Sequence, residues 1–290
     1  MKTLTIFTPT YNRAYSLHLG YEALLRQTSN DFEWLIIDDG STDDTKQLVQ
    51  GWIDENKIKI RYIYQQNQGM HGGHNTAYDN ITTEYNTCID SDDYMPDNAV
   101  AEILKNVQGL DASFAGIVGL DIDKTGHVTG TSFPEGLHKT TLRDIYGIHS
   151  VTGDKKLVLK TDIIRKYPKY PLFPGEKFVP LGHLYSLIDN DYFLKPVNIP
   201  FVVVEYLPDG SSLNMLKQYR KNPRGFAFTR VHKIKNSDSA SERFKNAVHL
   251  VSSAMFTKDI SLLKQSKSPF LILAASPFGL ALNFYIRLKT

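Results

Sequence analysis

The first hundred residues alternate between short apolar runs and amphipathic stretches at helical spacing. Leu4–Thr8 (LTIFT) reads as a strand that ends at Pro9. Leu17, Tyr21, Leu24 and Leu25 then fall near helical spacing. Phe32–Asp38 (FEWLIID) is a second strand. After a turn, Leu48, Val49, Trp52 and Ile53 mark a helix with Ser41 and Asp44 as capping residues. Lys57–Tyr64 alternates as a third strand. A Gly-rich loop, NQGMHGGHN, opens a short helix. Tyr85–Ile89 is a fourth strand, and the helix after it has Asp97 as its cap.

This alternation predicts an α/β fold with an open, mostly parallel central sheet flanked by helices. Such sheets bind ligands beyond the carboxyl ends of their strands. Three polar clusters sit there: TPTYNR after the first strand, DDGSTD after the second and DSDD after the fourth. Three clusters on one edge point to a site rather than to three independent loops.

The 290 residues are enough to bury a substantial core, and the charged and apolar fractions are those of a soluble globular chain. A formal charge of +2 gives no reason to expect nucleic-acid binding, and no recognition motif supports it. One cysteine, Cys88, excludes an internal disulfide and argues against a Cys-based metal site. No secretory signal is visible at the N-terminus, so a cytoplasmic start is expected.

The acids in CIDSDDYMPDN carry the candidate chemistry. In an extended chain, residues two apart point the same way, so Asp90 and Asp92 can present carboxylates to one target, with Asp93 turned aside or capping. Hard oxygen ligands suit Mg²⁺ or Mn²⁺, whose coordination is often completed by substrate phosphates. The alternative is a solvated acidic turn; the strand-end position among two other polar loops favours the site. Asp38 and Asp39 read in the same two ways, as turn residues or as acceptors for a base N–H or a ribose hydroxyl. Tyr11 offers an aromatic face to a base. The backbone of GMHGGHN can approach a phosphate. His71 and His74 are three apart, but no third His or Cys lies nearby to complete a metal site.

Together, TIFTPTYNR, WLIIDDGSTDDT, NQGMHGGHNTA and CIDSDDYMPDNA resemble family 2 glycosyltransferases of the GT-A fold, in the family's order and approximate spacing. Weaker similarity to a bacterial polysaccharide-building subgroup continues through GDKKLVLKTDIIRKYP, FPGEKFVPLGHLYSLIDNDY and VVVEYLPDGSS. The resemblance implies a hexosyltransferase that uses a nucleotide-sugar donor, often UDP-linked, with Mn²⁺ or Mg²⁺, and transfers the sugar with inversion to an acceptor hydroxyl. Carried over, the donor-binding set is Pro9, Tyr11, Arg13, Asp39, Gly69, Gly73, Asn75, Asp90 and Ser91, and the metal ligands are Asp90 and Asp92. The family's base is a carboxylate after the GEKFVP stretch. This chain has Leu181 at that position, which cannot accept a proton. Glu176 and His183 are the nearest base candidates, with Asp189 and Asp191 further along. Two rivals stand beside transfer: nucleotide-sugar binding without turnover, motivated by Leu181, and nucleotidyl transfer, which lacks a Gly-rich, Lys-containing loop near the N-terminus.

The expected organisation is a GT-A domain over 1–210, with a nucleotide-sugar half at 1–108 and an acceptor half at 109–210, followed by a helical extension over 211–290. Between Asp209 and Asp238 stand seven Lys/Arg and no acid: Lys217, Arg220, Lys221, Arg224, Arg230, Lys233 and Lys235. From Ser268 to Ile286 there is no charge. Pro277 and Gly279 suggest two short helices in a membrane interface rather than one span. The other occupants weighed are the protein's own core and a second subunit, which would make a homo-oligomer. The expectation is a peripheral protein on the inner face of the cell membrane, acting on a glycan or lipid-linked acceptor.

Overall fold

The structure is a computed structural model and describes residues 2–204 and 214–290. The end of VVVEYLPDGSS, Asp209 and the expected boundary at 210 lie outside the described residues.

In chain order the elements are β1 (Leu4–Thr10), α1 (Ala14–Leu25), β2 (Phe32–Asp38), α2 (Thr45–Glu55), β3 (Ile60–Tyr64), α3 (Met70–Asn80), β4 (Tyr85–Cys88) and α4 (Ala99–Val107). Then come β5 (Phe114–Ile122), α5 (Leu142–Gly147), β6 (Lys155–Lys160), α6 (Thr161–Ile164), α7 (Gly182–Ile188) and β7 (Phe193–Val203). The rest is helical: α8 (Met215–Lys221), α9 (Pro223–Asn236), α10 (Ala240–Thr257), α11 (Ser261–Lys264) and α12 (Pro269–Lys289).

Seven strands form one sheet in the order β3-β2-β1-β4-β6-β5-β7. β6 runs antiparallel to both neighbours, and every other pairing is parallel. This is the mostly parallel, helix-flanked sheet that the alternation predicts. Because β2, β1 and β4 are neighbours, their carboxyl-end loops meet on one edge.

The chain falls into two compact units: Met1–Lys169 with Leu184–Tyr206, and Tyr170–His183 with Leu207–Thr290. The segment Tyr170–His183 clusters with the C-terminal helices rather than with the acceptor half in which the sequence reading had placed it.

In the first unit, β2 is buried at all seven positions, as a central strand should be. An aromatic stack holds α1 and α2 to the sheet. The Tyr21 and Trp52 rings are 4.4 Å apart, Trp34 and Trp52 are 5.8 Å apart, and the Trp34 indole N–H donates to Thr8 Oγ1 at 3.0 Å. β1 does not stop at Pro9 but runs on to Thr10. Its pairing with β4 ends at Phe7, so beyond that point one flank is open and proline's missing N–H is tolerated.

In the second unit, Ile234, Leu250, Ile272 and Ala275 lie in the core of a helical cluster built from α9, α10 and α12. α12 corrects the expectation of two short helices, because it is continuous through Pro277. The reason is its buried stripe: Ile272, Ala275, Gly279, Asn283 and Ile286 recur at three- and four-residue spacing. At Gly279 a Cβ would come within 2.5 Å of the Val251 side chain, so only glycine permits this approach to α10.

Candidate active site

The candidate site forms where the loops after β1, β2 and β4 converge. The first two loops are tied to each other. Asn12, at φ 53°, donates its N–H to Ser41 Oγ at 2.9 Å and accepts the Thr42 N–H on Oδ1 at 2.8 Å. Asp43 Oδ2 accepts the Ala14 N–H at 3.1 Å, and its Oδ1 accepts the Thr45 N–H, also at 3.1 Å. Asp43 thus does the capping that the sequence assigned to Asp44. Tyr11 projects from this framework half-exposed. Arg13 donates to the Tyr15 hydroxyl, with its guanidinium 5.5 Å from that ring's centre.

The acids after β2 are buried and engaged. Asp38 accepts the Ser41 N–H at 2.7 Å and the Tyr62 hydroxyl at 2.5 Å. Asp39 accepts three donors from one segment: Gln65 Nε2 at 2.7 Å, Gln68 N–H at 2.8 Å and Gly69 N–H at 2.7 Å. Of the backbone donors in GMHGGHN, the resident carboxylate takes the Gly69 N–H. Gly69, at φ 82°, stands at the N-cap of α3, so most of the Gly-rich stretch is helix rather than loop. Gly73 lies inside that helix, where a Cβ would be 3.0 Å from Pro9 Cβ. Its place is explained by close packing of α3 on β1. Asn75 is buried on the same helix.

The acids after β4 differ. Asp90, Ser91 and Asp92 are half-buried, and only Asp93 is buried. Ile89 N–H donates to Phe7 O at 3.0 Å, which places Asp90 beside the end of β1. The Cys88 thiol lies 3.8 Å from Asp90 Oδ1; burial and that acid push its pKa up, so it is no nucleophile. His74 is buried on α3, close enough to Asp90 to feel its charge. Its Nδ1 is 3.0 Å from Met70 O, and burial lowers its pKa. His71 is buried on the same helix.

Two residues missed in the sequence complete the edge. Asp121, at the end of β5, is buried, with Oδ1 left without a hydrogen bond among the described residues. Burial pushes its carboxyl up to about 6, and Lys156 pulls the other way. Lys156 is on β6, between β4 and β5. Burial works against its charge, but the carboxylates of Asp121, Asp90 and Asp93 outweigh that and hold the ammonium charged. A signal for Asp121 was available: GIVGLD is an apolar run ended by an acid, as LIID and CID are.

Glu176 and His183 lie in the second unit, and their geometry gives both other tasks. Glu176 is buried and accepts the Arg224 and Gly225 N–H groups at 2.9 Å each, which caps the N-terminus of α9. His183 packs its ring 4.6 Å from Phe228 and 4.8 Å from His232. Burial, then His232, lowers its pKa to about 4, which makes it a weak proton acceptor near neutrality. In the first unit, Asp189 caps α5 through the Leu142 and Arg143 N–H groups at 3.0 and 2.9 Å, and Asp191 accepts the Tyr167 hydroxyl at 2.6 Å. Leu181 stands just before α7, and its carbonyl accepts the Tyr170 hydroxyl at 2.8 Å.

The chemistry of the Asp90/Asp92 pair fits a hard divalent cation. No group of three or more His, Cys, Asp or Glu is assembled to hold a metal among the described residues. Two carboxylates leave coordination positions for phosphate oxygens and water, which is how Mg²⁺-type sites are commonly completed.

The sequence pattern described as Glycosyl transferase family 2 matches residues 5–167, which contain all of β1 through β6 apart from Leu4. The chain belongs to glycosyl transferase family 2. Among its family relatives is a GalNAc(5)-diNAcBac-PP-undecaprenol beta-1,3-glucosyltransferase of Campylobacter jejuni. It is 30% identical over 142 residues, which is 48% of this chain and 45% of the relative. A chondroitin synthase of Escherichia coli is 33% identical over 132 residues, 45% of this chain and 19% of that protein. The chain thus spans less than half the length of these curated relatives. Two solved structures share the fold: S. aureus TarS 1-349 in complex with UDP-GlcNAc, and mannosyltransferase PcManGT from Pyrobaculum calidifontis in complex with GDP-Man and Mn²⁺. The first has a TM-score of 0.57 at 19% identity, covering 90% of this chain and 74% of that one. The second has 0.58 at 15%, covering 97% and 87%. The family's GT-A fold expected from the motifs is the fold observed. Its family-matched region includes every proposed donor and metal residue; Glu176 and His183 lie beyond it.

Proposed function

We propose that the protein transfers a sugar, with inversion, from a nucleotide-sugar donor of the UDP-linked class to a hydroxyl of a lipid-linked or cell-surface glycan intermediate. The observation that carries this reading is the half-buried Asp90/Asp92 pair beside the β1 loop, inside the family-matched region. Tyr11, half-exposed on that loop, would stack against the base, and Asp39 would keep the loop after β3 in place beneath it. Asp90 and Asp92 would hold a Mn²⁺ or Mg²⁺ ion, which when bound supplies positive charge for the leaving diphosphate. Lys156 adds a fixed positive charge close to Asp90. The acceptor class is suggested by the undecaprenol-linked substrate in the Campylobacter relative's name.

The test is release of UDP from a panel of UDP-sugars with Mn²⁺, with and without a polyprenyl-diphosphate-linked saccharide. Acceptor-dependent release supports transfer. Pyrophosphate release from UTP and a sugar phosphate would contradict it in favour of nucleotidyl transfer.

A second reading, donor binding without transfer, is favoured by one observation. Leu181 occupies the expected base position, while Glu176 is committed to capping α9. Tight UDP binding with no turnover on any acceptor would select it.

A further inference from the structure

The surface of α12 is unusual. One face is locked onto α10: Asn283 Nδ2 donates to Ser252 O at 3.1 Å, Arg287 Nε donates to Asn283 Oδ1 at 2.8 Å, and the Arg287 guanidinium lies 4.9 Å from the Phe256 ring centre. The opposite face is apolar and, among the described residues, uncovered. Phe270 is 87% exposed, Leu273 72%, Phe284 64% and Leu288 69%. With the exposed Pro277 and Ala281 between them, these positions recur at three- and four-residue spacing on the side away from the buried stripe, and Phe278 and Leu280 flank them.

Charge says what would cover it. Residues 214–290 carry fourteen Lys/Arg against three acids, Asp238, Glu242 and Asp259. The balance for the whole chain is only +2, so residues 1–213 are net acidic. Basic side chains bracket the apolar face: Lys264 and Lys267 before it, Arg287 and Lys289 at its end. α8 adds to that end, because Arg220 donates to Thr290 Oγ1 at 3.3 Å. We propose that this exposed face of α12, with its basic ends, docks in the headgroup region of an anionic phospholipid bilayer.

The helix is long and apolar enough to cross a membrane by length and composition. Its packing argues for lying flat instead. Crossing would carry α10, with Arg243 and Lys245, into hydrocarbon, or strip Asn283 of its partner. Pro277, exposed on the free face, also denies a backbone carbonyl one turn earlier its helical hydrogen bond, and headgroups or water can satisfy that carbonyl where lipid tails cannot. A polyanion such as nucleic acid would use the lysines and leave the apolar face bare. A second copy would bring two strongly basic surfaces together.

This inference rests on residues of the second unit and is tested without donor or acceptor, so it stands or falls apart from the transfer reading. The full chain is sedimented with phosphatidylcholine vesicles, with and without phosphatidylglycerol. The expected result is pelleting that needs phosphatidylglycerol and weakens with salt. Phe270→Ser combined with Phe284→Ser, both at exposed positions and checked for unchanged circular dichroism, should lower partitioning by about a hundredfold. Equal recovery of wild type in the supernatant with both vesicle types would overturn the proposal. So would a dimer in size-exclusion light scattering that the double variant converts to monomer, with no vesicle binding by either. Membrane-bound protein that resists alkaline carbonate extraction would contradict the flat orientation.

Discussion

Asp38–Asp39 and Asp90–Asp92 look alike in sequence: both follow an apolar strand, and both allow an acidic turn or a ligand site. Folded, they do opposite things. The first pair is buried and accepts donors from Ser41, Tyr62, Gln65, Gln68 and Gly69, so its negative charge is spent on holding the loops after β2 and β3 and the strand β3. The second pair is half-buried at the same sheet edge, more accessible than the first. An acid at a strand end therefore says where a site is. Whether that acid builds the site or works in it depends on the backbone N–H groups that the fold brings within reach.

The sharpest way to break this contrast is Asp39→Ala. It removes three bonds to a charged acceptor and orphans two backbone donors, so urea unfolding should show a loss of about 3–5 kcal/mol. Unchanged stability with a selective loss of UDP affinity would make Asp39 a ligand contact instead. Glu176→Gln should cost about 2 kcal/mol, because one carboxylate oxygen that accepts an α9 N–H becomes an amide donor. Turnover should keep its pH dependence; loss of the acidic limb without loss of stability would restore Glu176 as the base.

Asp121 offers a third state, an acid buried without full hydrogen bonding. Its folded pKa, pushed up to about 6, lies above the unfolded value. The folded chain therefore binds this proton more tightly, and wild-type stability falls as pH rises from about 4 to about 6, then levels. Asp121→Asn should remove that slope and gain about 1 kcal/mol at about pH 8, discounted for the lost attraction to Lys156, with no gain near pH 4. A variant less stable at high pH would show that the attraction outweighs the burial cost. The smallest expected effect is that of Leu181→Glu. If a missing base limits transfer, turnover rises by about tenfold or less with unchanged Tm; no rise in a folded variant counts against a missing base there.

Much of the first unit was legible. Apolar runs at Leu4–Thr8, Phe32–Asp38 and Tyr85–Ile89 marked strands because each is buried against both neighbours or a helix layer. What failed has local causes. Pro9 did not end β1 because β4 had already left its side. GMHGGHN read as a loop because glycine suggests turns, yet most of it is helix, and Gly73 lets α3 pack on Pro9. Glu176 read as a base candidate because its partners, the Arg224 and Gly225 N–H groups, are nearly fifty residues away. Lys156 and Asp121 were missed because their meeting depends on β6 inserting antiparallel between β4 and β5, which no spacing reveals.

The central claim is that Asp92 works on a ligand while Asp39 works on the fold. Calorimetric titration of UDP into wild type and Asp92→Ala, each with and without Mn²⁺, tests it most directly. The account predicts wild-type binding that depends on Mn²⁺, and about a hundredfold weaker binding in Asp92→Ala with Tm unchanged. Equal affinity in the two proteins, in the presence of Mn²⁺, would contradict it.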